Sequence, residues 1–128
     1  MSHFVYMLQC ADGTLYTGWT PNLARRLQAH RAGKGAKYTR GRGPLMLVYT
    51  EQLDDKSQAL RREAELKALP RNRKLALCAP FRQAVQALTA AGQQDALSLL
   101  ESGARLLECD GKTVRIQGKD GAGQVFFL

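Results

Sequence analysis

No cationic start runs into an apolar segment in this chain, and no apolar run reaches membrane length. A cytoplasmic protein is expected. Cysteine is scarce. Cys10, Cys78 and Cys109 are odd in number, far apart and without metal-ligand spacing. That argues against a disulfide framework and a zinc site, and for buried free thiols in a reducing compartment. There are no repeats and no low-complexity tracts. Acidic residues are few, 11 against 19 Lys and Arg, for a net charge of +8. Such a balance favours a polyanionic partner. The imbalance is also local. Residues 1–78 hold fourteen of the bases and six of the acids, whereas residues 79–128 hold five of each. An even spread would have argued for solubility alone.

What is present suits one domain with an appendage: 128 residues, of which 45% are hydrophobic. His3 to Gln9 is rich in β-formers and reads as a strand. Asp12-Gly13 is a hairpin signal, and Leu15 to Gly18 returns as a second strand with Gly18 as a structural turn. A helix follows over about Asn22 to Ala32, with Pro21 at its first position and Thr20 as N-cap. Lys34 to Pro44 is glycine-rich and basic. Leu45 to Glu51 is a third strand. Asp54 or Asp55 caps a second helix over Lys56 to Leu69, and a short third helix ends at Cys78. Pro80 breaks the chain. Beyond it lie one or two helices around Gly92 and three short strands: Arg105 to Cys109, Thr113 to Gln117 and Gln124 to Leu128.

Wheel positions carry more than propensity does. At about 100° per residue, Leu23, Arg26, Leu27 and His30 fall in one arc, with Arg25, Gln28 and Ala29 opposite. Either Arg26 and His30 snorkel from the edge of the stripe, or this face lines a polar cleft. The second helix repeats the pattern: Ala59, Leu60, Glu63, Leu66 and Lys67 share an arc, while Arg61, Arg62 and Glu65 point away. A carboxylate on an apolar side is expensive unless paired or metal-bound. Glu63 has three fates: water at an edge, an ion pair with Arg26 or Lys67, or a hard-metal ligand. Together these residues suit phosphodiester hydrolysis. That reaction needs positive charge on phosphoryl oxygens and an activated water.

Phe4-Val5-Tyr6, then Tyr16-Thr17-Gly18, then Arg26, His30 and Glu63 in order, resemble the GIY-YIG nuclease family. The resemblance covers about residues 2–78. It looks most like small stand-alone bacterial members, with Lys37-Tyr38-Thr39-Arg40 in the loop. Other relatives include homing endonucleases, some restriction enzymes and the incision domain of the UvrC repair protein. Phe4 stands where the name motif has its first glycine, and Thr17 where it has its second isoleucine. The resemblance implies an α/β fold, a β-β-α-β-α domain with a mixed three-stranded sheet flanked by helices over 1–78. Residues 79–128 form an α+β extension. It implies a Mg²⁺-dependent DNA endonuclease using one ion, Mg²⁺ or Mn²⁺. Tyr6 or Tyr16 serves the water, Arg26 the phosphate, Glu63 the metal, and His30 orients a tyrosine or the nucleophile.

Lys34, Lys37, Arg40 and Arg42 form a phosphate-tracking set. Tyr38 within them reads equally as a nucleic-acid contact or as packing. Trp19 is divided between packing under the turn and base stacking. His3 is expected in solvent. DNA is the expected partner, with RNA open. The rival reading is a non-catalytic nucleic-acid-binding module that keeps the site residues. A third is an interaction protein whose tail is the working part. On the nuclease reading, all five site residues converge on one concavity, with Glu63 free of a direct Arg26 ion pair.

Overall fold

The computed structural model describes residues 2–118 and 120–128. The elements are β1 (His3–Gln9), β2 (Leu15–Thr20), α1 (Leu23–Arg31), a 3-10 turn (Lys37–Thr39), β3 (Met46–Leu53), α2 (Lys56–Ala68), α3 (Arg71–Ala90), α4 (Gln94–Glu101), β4 (Arg105–Cys109), β5 (Thr113–Gln117) and β6 (Gly123–Phe127). The β1–β2 turn closes through Gly13, whose φ of 82° suits a residue without a Cβ. Asn22 caps α1, its side chain accepting from Arg25 N at 3.1 Å. Thr20 instead closes a local turn, its hydroxyl accepting from the Asn22 N–H. Pro21 therefore precedes the cap rather than opening the helix. Asp55 caps α2 by accepting from Gln58 N at 2.8 Å.

The first sheet has the order β2-β1-β3, with both pairings antiparallel. A mixed sheet is expected from the sequence because a helix joins β2 to β3. The crossover does return β3 in the direction of β2, but it lands beside β1. No parallel ladder forms among the described residues. Gly18 corrects a second expectation: it is inside β2, opposite Tyr6, not in a turn. A Cβ on it would lie 2.7 Å from the Tyr6 hydroxyl oxygen. The glycine is there for the tyrosine.

Strand alternation splits β1 between two cores. Phe4, Tyr6 and Leu8 face α1 with Leu23 and Leu27. Val5 and Met7 face α2 with Ala59, Leu66 and Cys78. The tail joins the first of these cores through Phe81, Leu88, Leu100, Val114 and Ile116. Helix α3 carries the chain across residues 78–81 without interruption, with Pro80 inside it. An interior proline costs about 3 kcal/mol. Burying Phe81, Val85 and Leu88 on one face contributes roughly 1.5–3 kcal/mol each, so packing wins over the local rule. The second sheet, β4-β5-β6, is antiparallel throughout.

Candidate active site

Tyr6 reaches the site from β1 and Tyr16 from the same face of β2, while Arg26 and His30 come from α1 one turn apart. Tyr6 is fully buried and His30 nearly so. The Tyr6 hydroxyl lies 2.6 Å from His30 Nε2 and accepts from Arg26 Nε at 3.4 Å. His30 Nδ1 lies 2.8 Å from Thr39 Oγ1, which donates to the Ala36 carbonyl at 3.0 Å. Tyr16 packs edge-on to His30 with ring centroids 5.3 Å apart. Arg26 and His30 thus turn inward onto Tyr6 rather than both snorkelling to water, and the cluster they make with it is buried.

Burial pushes the Tyr6 phenol up to about 12. The Arg26 hydrogen bond opposes that shift, and the neighbouring Tyr16 and Glu63 add to it. Burial also lowers His30, helped by the Arg26 charge. The hydrogen bond with Tyr6 raises Arg26. Tyr6 is thus a neutral phenol at ordinary pH, His30 a neutral imidazole, and Arg26 the fixed positive charge among them.

Glu63 arrives differently. Its helix packs on the opposite face of the sheet from α1. The carboxylate nonetheless lies close enough to Tyr6 to push its pKa upward. Its side chain is 17% exposed, and its ion-pair partner is Lys67, one helical turn on, at 3.7 Å rather than Arg26. Among the described residues no three His, Cys, Asp or Glu cluster to hold a metal. A lone carboxylate still suits Mg²⁺, which keeps several waters and takes its remaining oxygens from substrate phosphates. A concavity of about 640 Å³ lies between β3 and β4 and includes none of the five residues. His30 borders another, of about 320 Å³, on the loop side with Thr39 and Pro44.

The basic loop is anchored to this cluster. Tyr38 stacks on Tyr16 at 6.1 Å, and Arg42 lies 4.3 Å over the Tyr38 ring. Arg42 is also tied to Asp12 at 2.5 Å, so it fixes the loop to the β1–β2 turn. Lys34, Lys37 and Arg40 are exposed. Trp19 belongs to the opposite core, with Lys56 5.5 Å over its ring. His3, expected in solvent, is half-buried beside that tryptophan with an unpartnered Nδ1. On α2, Leu60 is 42% exposed despite its place on the apolar arc, because the helix meets the sheet through the narrower pair Ala59 and Leu66.

The roles of two residues at the site were not legible in the sequence, although Thr39 belongs to the Lys37-Tyr38-Thr39-Arg40 loop motif. Thr39 is buried from within a loop that has no periodicity to mark it. Gly35 lets the loop approach His30, where a Cβ would collide with the imidazole Nδ1. The glycine spacing of the loop was the available signal, and it carries no partner with it.

A two-tyrosine hairpin backed by a helix bearing arginine and histidine, with one carboxylate from a second helix, defines the class. The GIY-YIG catalytic domain matches residues 2–76, and the chain belongs to that family. It is 58% identical over 77 residues to a UPF0213 protein of Natronomonas pharaonis, covering 60% of this chain and 91% of that protein. It is 55% identical over 75 residues to a UPF0213 protein of Oceanobacillus iheyensis, covering 59% and 87%. A solution structure of a UPF0213 protein from Bacillus halodurans aligns at 46% identity with a TM-score of 0.45, covering 67% of this chain and 96% of that one. Among the described residues no helix is long and apolar enough to cross a membrane.

Proposed function

We propose that the protein is a metal-dependent endonuclease that hydrolyses phosphodiester bonds in DNA. The observation that carries this reading is the Arg26–Tyr6–His30 chain with Tyr16 beside it. It sets one guanidinium at the edge of a hydroxyl-rich cluster, and the loop of exposed cations is anchored to the same cluster through Tyr38 and Thr39. Arg26 binds the scissile phosphate and offsets the charge that develops on its oxygens. Tyr6 is fully buried with its hydroxyl engaged by both neighbours, which leaves Tyr16, half-buried, to orient the attacking water. The water oxygen bonds to phosphorus, and the bond to the leaving sugar oxygen breaks. The water's proton passes to solvent past Tyr16, and the leaving oxygen takes one from solvent. Glu63 would hold Mg²⁺ or Mn²⁺, which when bound supplies positive charge to the phosphoryl and leaving oxygens. Lys34, Lys37 and Arg40 track the backbone, so duplex contact is dominated by phosphate rather than sequence.

A nicking assay with and without Mg²⁺, across single-stranded, duplex, flap and branched DNA, tests the reading. Glu63→Ala is expected to abolish cleavage while sparing much of the binding, and Arg26→Ala to damage both. Binding without cleavage on every substrate with either ion would leave the non-catalytic module in its place.

A further inference from the structure

The sequence assigns Thr39 no role among the site residues, yet the hydrogen bonds of the site take their direction from it. A carbonyl oxygen only accepts, so the 3.0 Å contact with the Ala36 carbonyl uses the threonine's one proton. Thr39 Oγ1 then accepts at its 2.8 Å contact with His30 Nδ1, which puts a proton on Nδ1. Burial and the Arg26 charge keep the ring neutral. Nε2 therefore holds a lone pair, and the 2.6 Å bond runs from the Tyr6 O–H to Nε2. With its proton committed there, the Tyr6 oxygen offers lone pairs to Arg26 Nε.

We propose that Thr39 is a positioning residue for Arg26: by fixing His30 in the Nδ1–H tautomer, it turns the Tyr6 oxygen rather than the Tyr6 proton toward the guanidinium. In the reverse tautomer His30 Nε2–H would donate to Tyr6. The phenolic proton would then face Arg26, itself a donor, in a fully buried place. Donor would meet donor, and Arg26 would lose its bond to Tyr6 and keep only Tyr16 beside it. The cause lies nine residues from His30, in the same loop that carries Lys34, Lys37 and Arg40. Gly35 admits that loop to the ring, since any Cβ there would collide with it. The inference rests on the nuclease reading only for what Arg26 binds.

The test is nitrogen NMR of the full chain in a His3→Gln background, which leaves a single imidazole to read. The wild-type ring is expected to carry its proton on Nδ1. Thr39→Val, which keeps the shape and removes the hydroxyl, shifts the ring toward Nε2–H. It also speeds exchange of the Arg26 Nε–H by up to about tenfold, the worth of one hydrogen bond. Thr39→Ser restores the wild-type pattern. A wild-type ring protonated on Nε2 overturns the proposal, and so does a Thr39→Val ring that stays Nδ1–H. A tautomer that flips while Arg26 exchange is unchanged removes the link to Arg26. If Thr39→Val does not fold, Thr39→Ala supplies the hydroxyl-free ring and is read in the same way, an unchanged Nδ1–H again overturning the proposal. No cleavage enters the measurement, so a protein that passes it and never cuts DNA refutes the nuclease reading alone.

Discussion

Replacing Tyr6 by phenylalanine removes one oxygen from the centre of the site, and its cost should depend on pH in a way that few substitutions show. At neutral pH the variant loses the bonds to His30 and Arg26 and leaves a buried ring nitrogen unsatisfied, at about 1–3 kcal/mol. The alkaline behaviour follows from a phenol pushed up to about 12 by burial, against about 10 in the unfolded chain. Below pH 10 the phenol is neutral in both states, and its stabilisation is fully present. Above pH 10 the unfolded chain releases the proton while the folded chain retains it, so stability is lost as pH rises toward 12. The loss attributable to Tyr6 is about 1.4 kcal/mol by pH 11 and between about 2 and 3 kcal/mol near pH 12. Tyr6→Phe has no such loss, so the gap between variant and wild type should close as pH rises. Tyr49 and Cys78 are also pushed up, chiefly by burial, to about 12 and about 11, but they act equally in both proteins and cancel in the difference. Urea unfolding followed by the fluorescence of Trp19, at neutral pH and again near pH 11, reads the difference directly. Equal m-values are required for the comparison. A gap that stays constant across that range would refute the account of Tyr6 as a desolvated, anchored phenol.

The remaining expectations concern the loop and the tail. Replacing Lys34, Lys37 and Arg40 together should reduce the salt dependence of duplex binding, with the logarithmic slope falling by about 2–3 if each contacts one phosphate; an unchanged slope would take the loop out of the interface. Arg42→Ala should act instead by freeing the loop from Asp12 and Tyr38, weakening binding with a smaller change in slope. Truncation after Ala90 removes Leu100, Val114 and Ile116 from the first core, at roughly 2 kcal/mol each. Its urea midpoint should fall well below that of the full chain, and an equal midpoint would show that the tail contributes nothing to the core.

The periodicity of α1 was a sound guide because burial alone decides it. Leu23, Leu27 and His30 are buried, Arg26 is half-buried, and Arg25 and Gln28 are exposed. Strand extents were legible for the same reason. Sheet order was not, because it depends on where a crossover lands rather than on any residue of the strands. The continuity of α3 was hidden behind a local rule. Pro80 disfavours a helix within its own turn, and only partners distant in sequence, on β3, α4 and β4, supply the burial that overrides it. The site divides in the same way. Tyr6, Arg26 and His30 could be placed on one face by counting, whereas Thr39 and Gly35 act through the path of an irregular loop.

The departure at Phe4 connects the motif to the tail. Where the family motif has glycine, this chain buries a phenyl ring, and the ring lies against Gly103, just after α4. A Cβ on Gly103 would come within 2.6 Å of two of its atoms, and the backbone φ of 102° itself favours glycine. A large residue on β1 thus meets a missing side chain in the tail. On the other side, Arg31 of α1 is gripped by both oxygens of Glu101, with Nη1 to Oε1 at 2.9 Å and Nη2 to Oε2 at 2.5 Å. The ion pair itself is exposed and worth little on its own, but it has the two-pronged geometry that fixes orientation. These two contacts fall on the strand that carries Tyr6 and the helix that carries Arg26 and His30. The family match ends at residue 76, so Phe4 and Arg31 lie inside the matched domain while their partners Gly103 and Glu101 lie beyond it. The tail therefore touches both the strand that carries Tyr6 and the helix that carries Arg26 and His30.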